Sequence, residues 1–169
     1  ISINYAMRSL KYENYIECCA LPRSFRERLN NNRVIDNSAV SYGCFTVLNG
    51  IEQKYISSSK FLDKYVSLIF KVIVNSKIRG LNFPLTVIFT KTNNGKDVPV
   101  DERDKEHQPK KRILKKNVSN IYNNRSPSQF SKVTIDESTL YRGLHTMKCE
   151  IVDSQNIIIF RDWIGVMIK

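Results

Sequence analysis

The tightest constraint on the fold of this chain is the run "VSLIFKVIV", Val66–Val74. Val66, Leu68, Phe70, Val72 and Val74 form one wholly apolar row, while Ser67, Ile69, Lys71, Ile73 and Asn75 form a mixed one. Side chains alternate across a strand, so this period of two predicts a β-strand with one face in a core. A strand buried on one side and half exposed on the other belongs to a curved sheet or a small barrel. After a polar turn around Asn75–Gly80, "FPLTVIFTKT" predicts its antiparallel partner. Pro84 stands at that partner's beginning, where a missing N–H is tolerated.

Other strands follow from the same period. Val40, Tyr42, Cys44, Thr46 and Leu48 alternate with Ser41, Gly43, Phe45 and Val47, and Asn49-Gly50 supplies a hairpin turn. Residues 51–63 are less regular and predict a second short strand, and "FSKVTI" another. The C-terminal "HTMKCEIVDSQNIIIFRDWIGVMIK" predicts two strands about a tight turn at Asp153–Asn156. "PRSFRERLNNN" predicts a short helix near the start of the chain. Leu114, Val118, Ile121 and Tyr122 recur at helical spacing and predict a second helix over about 112–123. "NNGKDVPVDERDKEHQ" has no period and predicts a mobile, charged loop. The expected fold is mainly β with short helices: a small OB-like β-barrel over 40–169, with an N-terminal extension over 1–39. An SH3-like or other partly open barrel would give nearly the same pattern.

The chain has 169 residues, the length of one domain, and begins at Ile1, which reads as a domain of a longer protein. Its net charge of +11 favours polyanionic partners. Cys18 and Cys19 are adjacent, Cys44 and Cys149 are isolated, and no CxxC pair is present, so reduced, buried thiols are expected. No apolar run is long enough for a membrane helix, and no membrane partner is expected.

Catalytic chemistry is hard to find in this pattern. His107 and His145 lack metal-ligand spacing and are expected to face solvent. Asp101, Glu102, Asp104 and Glu106 alternate with Arg103 and Lys105, as a solvated loop does. The glycines are scattered singly, and no nucleophile elbow occurs. The expectation is a protein that is not an enzyme, with no catalytic residues, no metal and no cofactor.

"PKKRILKK", Pro109–Lys116, puts five positive charges into eight residues. It reads as a nuclear-import address, as a solvated face, or as a phosphate-binding helix start. The last draws support from Lys110 and Lys111, whose charges would oppose the dipole of a helix beginning at Pro109 unless an anion bound there. Lys71, Lys77, Arg79 and Lys91 flank the predicted central hairpin, and Lys110, Lys111, Arg112, Lys115 and Arg125 lie along the basic segment. Tyr65, Tyr122, Tyr141 and Trp163 are candidate stacking platforms. All these groups are expected to converge on one concave side of the barrel.

The stretch "KYVSLIFKVIVNSKIRGLNFPLTVIFTKTNNGKD" resembles the opening hairpin of OB-folds in yeast telomere single-strand-binding proteins, such as the large subunit of the CST complex. "MKCEIVDSQNIIIFRDW" resembles the last hairpin of replication-protein-A-like OB-folds. The resemblance implies a nuclear protein whose Tyr65, Lys71 and Lys77 contact telomeric single-stranded DNA. Its alternative implication is an OB-like protein–protein interaction module, used for a homodimer or for partner subunits of a telomere complex.

Overall fold

The computed structural model describes residues 39–78, 80–116 and 129–169. The mainly β expectation holds. Strand β1 (Val40–Leu48) turns into β2 (Ile51–Tyr55) through Asn49 and Gly50, both with positive φ (50° and 75°), so Leu48 faces Ile51. The short β3 (Phe61–Leu62) precedes β4 (Ser67–Asn75), which carries the alternating run. There follow β5 (Leu85–Thr92), β6 (Lys110–Leu114), β7 (Phe130–Ser138), β8 (Gly143–Val152) and β9 (Ile158–Ile168). The last two form the expected hairpin, antiparallel from Gly143↔Ile168 to Val152↔Ile158.

The strands do not close into a barrel. They form a four-stranded sheet, β2-β1-β4-β7, and a five-stranded sheet, β3-β9-β8-β5-β6. The apolar row of β4 came out as expected, with Leu68, Phe70, Val72 and Val74 all buried. Its partner did not. β4 lies between β1 and β7, whereas β5 lies between β8 and β6 in the other sheet. Alternation says that a strand has one buried face but not which strand lies beside it. Here both runs bury Val72 and Val74 on one side, and Leu85, Val87 and Phe89 on the other, in one shared core. Tyr42 crosses that core: its ring sits 6.3 Å from Phe89, and its hydroxyl donates to the Met147 carbonyl at 2.8 Å. The sheets are therefore packed face to face as a sandwich.

Among the described residues there is no helix. Lys110–Leu114, expected to enter one, pair with β5 instead, from Phe89↔Lys110 to Leu85↔Leu114. Five residues can match both periods, and the open edge of β5 offers a ladder of hydrogen bonds that decides for strand. The helix-dipole argument for an anion at Lys110 and Lys111 falls with the helix. The N-terminal helix and residues 117–128 lie outside the described residues, as does nearly all of the expected extension.

The loop after β5 is not the loose connection its composition suggests. Asn93, Asn94 and Val98 are buried. Arg103 donates to the carbonyls of Val98 (2.7 Å) and Lys96 (2.6 Å), and Asp97 holds Arg142 and Lys64. Polar composition marked a loop, but it could not reveal that these polar groups satisfy one another. Cys44 and Cys149 are free and buried, as expected for reduced thiols, and burial pushes the Cys44 thiol up to about 12. Cys18 and Cys19 lie outside the described residues.

Candidate ligand pocket

At one end of the sandwich the two sheets leave a pocket of about 140 Å³. Leu68 and Phe70 from β4, Met147 from β8, and Val166 and Ile168 from β9 line its apolar side. These are core positions of the alternating strands, continued to where the sheets part. Its polar side carries Lys91, Asn93, Glu137, Thr139, Tyr141 and His145.

The wall from Thr139 to Gly143 is fixed at both ends. Thr139 exchanges backbone hydrogen bonds with Val66 and Tyr65, its Oγ1 donates to the Asp63 carbonyl (2.7 Å), and the Val66 N–H donates to that Oγ1 (2.8 Å). At the other end Arg142 makes a two-point contact with Asp97, at 2.9 and 3.0 Å. Arg142 and Lys64 hold the Asp97 carboxyl well below the usual carboxylate range. A wall held this way is pre-organised for a ligand.

Glu137 lies on edge strand β7 but points inward, in phase with Ile135. Its two oxygens each meet a lysine: Oε2 is 3.2 Å from Lys91 Nζ, and Oε1 is 2.8 Å from Lys110 Nζ. Burial alone would raise its pKa, but Lys110 and Lys91 outweigh burial and hold it below its ordinary value. Two cations around one anion leave the rim positive.

His145 is 7% exposed, with Nε2 2.6 Å from the Tyr141 carbonyl. A carbonyl only accepts, so Nε2 carries a proton. Asn93 sits between Nδ1 of His145, at 3.1 Å from its Oδ1, and Nε2 of His107, at 3.3 Å from its Nδ2. With the amide in that orientation His145 must donate from both nitrogens and be an imidazolium. Burial, and then Lys91, oppose that charge and press the pKa of His145 down to about 4. A neutral His145 has a bare Nδ1 and needs the Asn93 amide turned over, presenting its NH2.

Of the cations expected to share a surface, the structure brings together, among the described residues, only Lys91 and Lys110. Lys71 projects from the outer face of the four-stranded sheet, where it pairs with Glu52 and lies 4.9 Å above the Phe45 ring. Lys77 is exposed in the turn after β4, and Lys111, Arg112 and Lys115 are exposed on or just beyond β6. Tyr65 is 79% exposed, with a positive φ of 66°, outside the pocket lining. Trp163, a candidate stacking platform, is 4% exposed and so presents no face to a base. Arg79, Tyr122 and Arg125 lie outside the described residues. Among the described residues, the single concave basic face is therefore not formed.

Sequence reasoning missed Glu137, Asn93 and Thr139, and it expected His145 at the surface. One signal was available: His145 is in phase with Met147, Cys149 and Ile151, the buried row of β8.

The cleft at the end of the β-sandwich is apolar within and charged at its rim, the composition that small-molecule sites favour. The chain belongs to the family described as the Adenylyl/Guanylyl and SMODS C-terminal sensor domain, which matches residues 11–169. It is also similar to a cytidylate cyclase of Escherichia coli, 29% identical over 171 residues, covering 99% of this chain and 37% of that protein. The chain therefore spans little more than a third of the length of this relative.

These matches overturn the likeness to yeast telomere OB-folds, which rested on apolar alternation that many β proteins share. With it go telomeric single-stranded DNA and telomere-complex subunits as partners, and the DNA-binding role. The nuclear placement loses its basis too, since the relative is bacterial. The expectation of a protein that is not an enzyme is corrected by these matches, since the chain is similar to part of a cyclase.

Proposed function

We propose that this chain is the sensor of a nucleotide cyclase: it binds a ligand in the pocket between its sheets and thereby sets the output of a cyclase catalytic unit. The observation that carries this reading is the sensor-domain match over 11–169, taken with the pre-organised pocket inside the matched region. The cytidylate cyclase supports the cyclase half of the reading, because the part of it that this chain does not match has room for catalysis. Of the expected binding residues, Lys91, which lines the pocket, is the one to which we assign ligand contact, while Lys110 holds the other oxygen of Glu137. We read residues 1–39 as an extension ahead of the sandwich.

The test is a chimera in which this chain replaces the matching stretch of the E. coli cyclase. Cyclic-nucleotide formation is then compared between the chimera and its Val166→Phe variant, which fills the pocket. The expected result is an altered dependence of output on the activating signal, with basal synthesis retained. Identical basal and stimulated rates in the two proteins would defeat the proposal.

A further inference from the structure

Size, leftover hydrogen-bonding capacity and charge together restrict what the pocket can hold. A cavity of about 150 Å³ takes a single benzene-sized ring, and this one measures about 140 Å³. Typical sites for larger ligands run to roughly 300–1,000 Å³, so one ring, or a branched aliphatic group of similar bulk, fits against Leu68, Phe70, Met147, Val166 and Ile168.

The polar groups are mostly occupied. Thr139 Oγ1 already donates and accepts, and His145 spends Nε2 on Tyr141 and Nδ1 on Asn93. Both Glu137 oxygens are held by lysines. At the rim there remains donor capacity, since an ammonium has three N–H groups and Lys91 uses one on Glu137, and inside the pocket the unpartnered Thr146 hydroxyl can donate or accept. A ligand group placed against Lys91 must accept, and beside two lysines and one carboxylate a negative charge is favoured over a neutral or positive one.

From this convergence we infer that the pocket binds an anion of single-ring size, its ring or branched apolar group inside and its acidic group on Lys91. This rests on the sensing role above for its biological use, but not for its chemistry. Lys91 acts by direct contact, Glu137 by holding Lys91 in place, and the pinned Thr139–Gly143 wall by keeping the cavity open in the empty protein.

The experiment uses benzoate and phenyl phosphate as probes, with benzyl alcohol and benzylammonium as neutral and cationic counterparts of the same bulk. Binding is followed by titration calorimetry and by the NMR shift of the Met147 methyl group. The expected result is saturable binding of at least one anion, with the better headgroup distinguishing carboxylate from phosphate. Neutral and cationic probes should bind at least about tenfold more weakly, a difference of one decade in Kd. Lys91→Ala should remove that preference and Lys91→Arg should keep it. Lys110 still covers Glu137 in Lys91→Ala, so that variant should fold, and its circular dichroism and melting curve verify this.

Equal affinity for benzyl alcohol, anion binding unchanged by Lys91→Ala, or no Met147 shift at saturating probe would each overturn the assignment. Failure here is separable from failure of the sensing role. Anion binding that depends on Lys91 but never alters cyclase output leaves this site standing and removes the sensor. Regulated output from a signal that leaves Met147 unperturbed does the reverse.

Discussion

Gly95 and Gly143 lie backbone against backbone: a Cβ on Gly95 would strike the Arg142 carbonyl, and one on Gly143 would strike that of Asn94. Both residues hold positive φ, 141° and 127°, where side chains other than glycine are strained. This crossing ties the loop after β5 to the start of β8, and so places Asn93 beside His145.

Gly95→Ala should therefore be destabilising well beyond an ordinary surface change. Steric overlap with backbone and an unfavourable φ act together, for roughly 2–4 kcal/mol. Urea unfolding of the variant and the parent protein measures it. A loss below about 0.5 kcal/mol, the scale of neutral surface substitutions, would show that the crossing is not tight.

His145 makes stability depend on pH with a definite sign. Its folded pKa, about 4, lies below the ordinary value of 6.5. The unfolded chain therefore takes up a proton that the folded one refuses. Its contribution is fully present above pH 6.5, declines as the pH falls toward 4, and is gone below that. Burial of the ring is the main cause. The loss should be on the order of 2–3 kcal/mol across this window. Carboxylates titrate at its lower end, so the measurement is the difference between the parent and His145→Gln at each pH. A difference that stays constant from pH 7.5 to 4.5 would refute this account.

The strands were legible because their signal is local. The alternation of β1, β4 and β8 and the Asn49-Gly50 turn each occupy a few consecutive residues. The pairing of β4 with β1 and β7 was not legible, because any strand with one apolar face satisfies the same core. β6 was misread because Lys110, Arg112 and Leu114 fit a strand while Leu114, Val118 and Ile121 fit a helix, and only the neighbouring edge of β5 chooses. The pocket was hidden for a related reason. Asn93 and His145 are 52 positions apart, and Lys91 and Glu137 are 46 apart. No spacing rule links residues that only the stacking of two sheets brings together.

Thr139 has more hydrogen bonds than its size suggests, and removing its hydroxyl should show it. Thr139→Val keeps the bulk but leaves the Val66 N–H and the Asp63 carbonyl without their partner. The Val66 N–H loses a partner beside a side chain that is 1% exposed, for about 1–3 kcal/mol. Thr139→Ser keeps both bonds and should lose less than Thr139→Val. Chemical denaturation of the two variants ranks them, and the reverse order would mean that Thr139 acts through its methyl group.

Glu137→Gln tests whether the inward carboxylate of β7 is held by its lysines or merely tolerated. At neutral pH the substitution should lower stability by about 1 kcal/mol, since Lys91 and Lys110 are partly exposed and water screens them. The sign with pH follows from the depressed carboxyl. A group whose folded pKa lies below its unfolded value stabilises above the unfolded pKa, and that contribution is lost as the pH falls through the folded one. The gap between parent and variant should thus be widest near pH 7 and close in acid, once Glu137 is protonated in both folded and unfolded chains. Urea midpoints of both proteins from pH 7 downward provide the comparison. A gap that widens in acid would mean that burial outweighs the lysines, and that the rim of the pocket does not carry the excess positive charge assigned to it.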